Sequence, residues 1–93
     1  MHAIGIDVSD QTFTATCVTP TFQKVFWGQT FAQTPEGWER LIALCRSADI
    51  AKASASVVME ATGVYSERIS HYLYQQGFTV HVEPPGKIHN AFY

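Results

Sequence analysis

The chain has 93 residues, 46% of them hydrophobic and 13% aromatic, with a net charge of −2. That content supports one domain around one modest core and excludes a disordered linker or tail. A sequence pI near 6.0 excludes a broad basic surface, so any strong attraction for phosphates must come from bound metal or from another part of a larger protein.

Residues 3–8 read as a buried strand, with Ile4, Ile6 and Val8 on one face and Gly5 and Asp7 on the other. No basic stretch or long apolar run precedes it, so no signal peptide is expected. The apolar runs elsewhere are too short to cross a bilayer. Ser9-Asp10-Gln11 has turn chemistry. Residues 12–18 then alternate, Phe13, Ala15 and Cys17 against Thr12, Thr14 and Thr16, as a half-buried strand does. Thr19-Pro20-Thr21 turns the chain into a third strand over roughly residues 22–31, carrying Phe22, Phe26, Trp27 and Phe31. Short turns between these strands predict an antiparallel meander.

Thr34-Pro35-Glu36 is a helix start: Thr as N-cap, Pro at the first helical position, an acid in the first turn. Trp38, Leu41, Ile42 and Cys45 follow at helical spacing and form one apolar stripe. Ser47 to Ser54 is a small, polar connection to a fourth strand over residues 55–60, and approach through a helix predicts a parallel crossover onto the first strand. A second helix is expected from about Gly63 to Gln76, with Tyr65, Ile69, Tyr72 and Leu73 inward and Gly77 as its stop. Phe78, Val80 and Val82 alternate with Thr79, His81 and Glu83 in a fifth strand that ends at Pro84-Pro85-Gly86. The expected fold is a mixed α/β sheet of order β-β-β-α-β-α-β in a single domain spanning residues 1–93.

Cys17 and Cys45 form no metal or disulfide pattern and fall at apolar positions, so both are expected as buried thiols of a chain in a reducing cytoplasm. His2, His71, His81 and His89 show no ligand spacing and read as surface residues. Lys87 and His89 could touch DNA, although a solvated turn accounts for them equally well.

Two segments remain: Ile4-Gly5-Ile6-Asp7-Val8-Ser9 and Val57-Val58-Met59-Glu60-Ala61-Thr62-Gly63-Val64-Tyr65. Each is an apolar, β-branched run that delivers one acid at its end, where a buried strand has no use for a carboxylate. Side by side, such strands would bring Asp7 and Glu60 to one sheet edge, a pairing suited to a divalent metal that handles phosphates. Structurally, Asp7 could cap turn amides and Glu60 could face the dipole of the second helix. Neither role explains why both strands end in an acid. Thr62 and Gly63 cap the helix and permit a tight turn, or else meet a DNA phosphate at the helix start.

The element order and these motifs resemble the N-terminal, RuvC-like ribonuclease-H domain of the DEDD transposases of bacterial insertion sequences, a family that includes the Piv-type invertases of pilin genes. Ile-Gly-Ile-Asp-Val-Ser alone is a weak signature; Met-Glu-Ala-Thr-Gly-Val-Tyr after an apolar run is specific. The resemblance implies a Mg²⁺-dependent DNA recombinase in which Asp7 and Glu60 are the first two catalytic, metal-holding acids. The family's other two acids lie in an Asp-x-x-Asp motif that does not occur after Glu60 in this chain. It also implies DNA as partner, a homo-oligomer in the whole protein, and in some members a guide RNA from the element itself. The isolated chain, holding half of the acidic set, is expected to bind metal weakly and DNA poorly and to cut nothing. Asp10 stands where the family often has Lys, and Glu83 where it often has Asn. Two other readings compete: a catalytically silent interaction module of the same fold, and an actin-like kinase lobe. The kinase lobe would need Gly soon after the Asp, and Val8-Ser9-Asp10 supplies none.

Overall fold

A computed structural model describes residues 1–84. Strands β1 (His2–Val8), β2 (Thr12–Val18) and β3 (Lys24–Ala32) lead into helix α1 (Pro35–Ser47). A 3-10 turn at Lys52–Ser54, strand β4 (Ala55–Glu60), helix α2 (Val64–Gln75) and strand β5 (Thr79–Glu83) follow. The strands make one five-stranded sheet in the order β3-β2-β1-β4-β5. The β1–β2 and β2–β3 pairs, joined by short turns, are antiparallel, whereas β1–β4 and β4–β5, reached through helices, are parallel. This is the mixed α/β sheet expected from the element order, and it has a ribonuclease-H-like arrangement.

One face of the sheet is apolar and carries both helices. Ile4, Ile6 and Val8 of β1, Phe13, Ala15 and Cys17 of β2, and Ala55, Val57 and Met59 of β4 form a single buried cluster with Trp38, Leu41, Ile42 and Cys45 of α1 and Ile69 and Leu73 of α2. Phe13 stacks on Phe31 across the β2–β3 pair, ring centroids 5.1 Å apart, and Trp38 meets Tyr72 between the helices at the same separation. Tyr72 also donates its hydroxyl to Glu39 of α1. Thr34 caps α1 as its sequence predicts, its Oγ1 accepting from the Gly37 N–H at 3.2 Å. Gly37 lets that first turn settle directly on the end of β3: a Cβ there would lie 1.8 Å from the Ala32 carbonyl oxygen.

Two expectations need correction. Phe22 is not in β3, which begins at Lys24; it occupies the preceding turn at φ 63° and is 78% exposed. Tyr65 is not a core residue but 41% exposed, and the inward position in the first turn of α2 belongs to Ser66. Val82 shares the apolar face by register with Met59, yet it stands on an edge strand and remains 45% exposed.

Cys17 and Cys45, distant in sequence, are both buried in the one core cluster as free thiols. Burial pushes both up from 9.0 to about 11, and Cys45 adds to the rise at Cys17. Unfolded thiols ionise near 9.0 while the folded ones stay neutral until about 11, so their contribution to stability is complete below pH 9 and is lost between pH 9 and 11. The urea midpoint is therefore expected to hold steady from pH 7 to 8.5 and to fall above pH 9. A Cys17→Ala, Cys45→Ala chain should show a shallower fall.

Candidate functional site

Asp7 stands between Ile6 and Val8, both buried, so strand alternation sends its carboxylate to the face away from the helices, where it is exposed. Glu60 follows buried Met59 and takes the same face of β4, half-buried. The parallel ladder sets Gly5 opposite Val58 and Ile6 opposite Met59. One step further brings Asp7 level with Glu60 on adjacent strands whose backbones run about 4.8 Å apart.

The row continues on both sides. Glu83 of β5 is level with Glu60, and the Ala61 N–H extends that ladder by donating to the Glu83 carbonyl at 2.8 Å. Thr14 of β2 is level with Asp7, and Thr14 and Thr30 join hydroxyl to hydroxyl at 3.2 Å. Thr30, Thr14, Asp7, Glu60 and Glu83 thus cross the sheet in one line, none of them buried. Glu83 could be found from sequence only in part. The alternation of Val80 and Val82 fixes its face, but nothing local says that β5 lies beside β4.

The acids do not close into a cage. Among the described residues no group of three or more His, Cys, Asp or Glu could hold a metal ion. Asp10, which stands where the family often has Lys, is exposed in the β1–β2 turn and joins no such group; nor do His2, His71 and His81. Lys87 and His89 lie outside the described residues. Asp7 and Glu60 offer oxygen donors alone, the set that suits a hard cation keeping most of its waters.

The turns around the pair are held by other side chains. After β1, Ser9 donates its N–H and its hydroxyl to the Thr12 carbonyl at 2.9 and 2.8 Å, so the turn does not depend on Asp7 for its closure. After β4, Gly63 adopts φ 66° as the N-cap of α2, a conformation open to glycine, and it makes no side-chain cap. Thr62 does not cap the helix with its hydroxyl; instead its N–H donates to Ser66 Oγ at 2.9 Å, and Ser66 donates on to the Gly63 carbonyl at 3.1 Å. Ser66, 2% exposed, therefore fixes the loop that follows Glu60. Sequence reading missed it, since the signal was a lone hydroxyl four residues after Thr62 at a helix start. Ser66→Ala leaves the part-buried Thr62 N–H without its acceptor and is expected to cost about 1 kcal/mol, measurable as a lower urea midpoint. Gln33 adds a second brace: it accepts from Trp38 Nε1 at 3.0 Å and donates to the Tyr65 carbonyl at 2.9 Å, tying α1 to the start of α2.

Residues 4–92 match the IS110-type DEDD transposases, a family described as transposase. The match takes in both acid-terminated strands and everything between them. The chain belongs to this transposase family. No curated protein matches it. Family membership across almost the whole chain leaves the actin-like kinase reading without support. Among the described residues no helix is long and apolar enough to cross a membrane.

Proposed function

We propose that residues 1–93 form one ribonuclease-H-like unit of a longer DNA transposase, and that this unit contributes Asp7 and Glu60 to a site that cuts and joins DNA strands with Mg²⁺. The reading rests on the shared ladder position of two carboxylates on the uncovered face of adjacent parallel strands. Neither acid belongs to the core cluster, and the turn after β1 is closed by Ser9 and so does not account for Asp7.

Mg²⁺, when bound, would make the attacking oxygen more nucleophilic and stabilise charge on the leaving one. The protein's share is orientation. Buried Ile6 and Val8 fix the backbone of Asp7, and Met59 with the Ala61–Glu83 ladder bond fixes that of Glu60. Thr62 and Gly63, both exposed at the start of α2, would meet a DNA phosphate there, Thr62 through its hydroxyl because its N–H is given to Ser66. Lys87 lies outside the described residues, and a DNA contact through it is proposed from the sequence alone. The remaining acids, the homo-oligomer, guidance by an element-encoded RNA, the choice between insertion and inversion, and a bacterial cytoplasmic setting belong to the same reading of the whole protein.

Manganese titration of the isotope-labelled chain tests it. Paramagnetic broadening is expected first at the amides of Asp7, Val8, Glu60 and Ala61, at millimolar metal, with Asp7→Asn weakening the effect about tenfold. Broadening that starts elsewhere, or that ignores the substitution, would overturn the assignment.

A further inference from the structure

The β2–β3 hairpin carries features that neither the core nor the carboxylate pair uses. Its tip is closed by several hydrogen bonds: the Thr19 N–H donates to the Gln23 carbonyl and the Phe22 N–H to the Thr19 carbonyl, each at 2.9 Å. Thr19 Oγ1 also accepts from the N–H groups of Thr21 and Gln23, at 3.3 and 3.0 Å. This turn holds Phe22 at φ 63°, a left-handed conformation unfavourable for a bulky residue, with 78% of it exposed. Burial does not offset that strain. Two residues on, the Lys24 ammonium sits 4.7 Å from the ring centroid of Trp27, itself 45% exposed.

Lys24 and Trp27 are on the side of the carboxylates. Lys24 is opposite Val18, and Val18 is opposite Ala3, which shares the face of Gly5 and Asp7. Trp27 follows core-facing Phe26 and so turns to that face as well. Arg40, Arg46 and Arg68 are on the helices and Lys52 is on the 3-10 turn; among the described residues Lys24 is the one Lys or Arg carried by a strand. Strand spacing sets Trp27 roughly 12–14 Å from Asp7.

We propose that Phe22, Lys24 and Trp27 form a binding arm for single-stranded DNA, the two rings stacking on unpaired bases and Lys24 meeting a phosphate between them. Stacking needs a base whose face is free, which a duplex does not offer to an exposed, convex hairpin. It is also indifferent to net charge, so it suits a chain with a net charge of −2 that cannot hold DNA by phosphate contacts alone. Resting on the proposed strand-transfer function, the arm would hold the freed strand as it crosses the sheet toward Asp7 and Glu60.

The test is fluorescence anisotropy of a labelled oligothymidine of about a dozen nucleotides, titrated with the 93-residue chain at low ionic strength in excess EDTA. Trp27→Ala and Lys24→Glu are expected to weaken binding about 5- to 150-fold and at least 5-fold, respectively, whereas Tyr74→Ala, an exposed aromatic change on the helix side of the sheet, leaves it unchanged. Phe22→Gly separates function from folding: it should raise the melting temperature by relieving the left-handed strain while weakening binding. Unchanged binding in the Trp27, Lys24 and Phe22 variants, no binding by the parent chain, or equal binding of duplex DNA or of single-stranded RNA overturns the proposal. Because metal is absent throughout, the result stands apart from the roles of Asp7 and Glu60.

Discussion

Asp7→Asn in the complete transposase is expected to lower recombination by about a thousandfold or more while the domain keeps its fold. The substitution preserves shape and removes one anionic oxygen donor from a pair. Metal stabilisation of charge during phosphoryl transfer is worth several kcal/mol, and about 4 kcal/mol corresponds to three orders of magnitude in rate. Stability should move by less than about 0.5 kcal/mol, because Asp7 is exposed and outside the core. An inversion or excision assay, read beside a melting curve of the same variant, checks both halves. Activity within tenfold of the parent would show that Asp7 is not part of the chemistry.

Gly37→Ala should act on the opposite property. The added methyl group would lie 1.8 Å from the Ala32 carbonyl oxygen, and that atom is backbone, with no rotamer to turn away. Either the first turn of α1 lifts from the end of β3 or β3 bends. Both movements disturb Trp38, Leu41 and Phe31, which tie the helix to the core. Overpacking of this kind costs about 3 kcal/mol, a large share of the total for a domain of this size. In melting temperature that is a drop of roughly 12–24 °C. Loss of the Thr34 cap by Thr34→Ala should cost less, about 1 kcal/mol, since the rest of the helix interface stays in place. A Gly37→Ala melting point equal to the parent's would mean that the close approach is not maintained in solution.

The alternating strands β1 and β2 and the helix α1 were legible because their signals are local: period two in Ile4, Ile6 and Val8, and a Thr-Pro-Glu start before a helical stripe. Local alternation also assigns Asp7 to the uncovered face. That Glu60 is its neighbour depends on the β1–β4 pairing, which the parallel crossover argument supplied, and on the register, which no local signal fixes. Phe22 was misread because an aromatic before a strand looks like the strand, whereas the hydrogen bonds centred on Thr19 decide the backbone there. Tyr65 was misread for a related reason. The loop after Glu60 needs an inward acceptor for the Thr62 N–H, and that requirement sets the phase of α2 on Ser66. The exposure of Val82 and the brace at Gln33 depend on which elements end up adjacent, and no short window of sequence contains that information.

In β1 and β4 each acid is flanked in the chain by residues committed to the opposite side of the sheet: Ile6 and Val8 about Asp7, Met59 before Glu60. A saturation library spanning these strands would therefore sort into a comb. Teeth at Ile4, Ile6, Val57 and Met59 would appear as low protein abundance, and the gaps at Asp7 and Glu60 as normal abundance with altered behaviour. Such a chain can change its chemistry at alternate positions without renegotiating its stability, so lineages that lose or retune the carboxylates can keep a well-folded sheet for selection to work on.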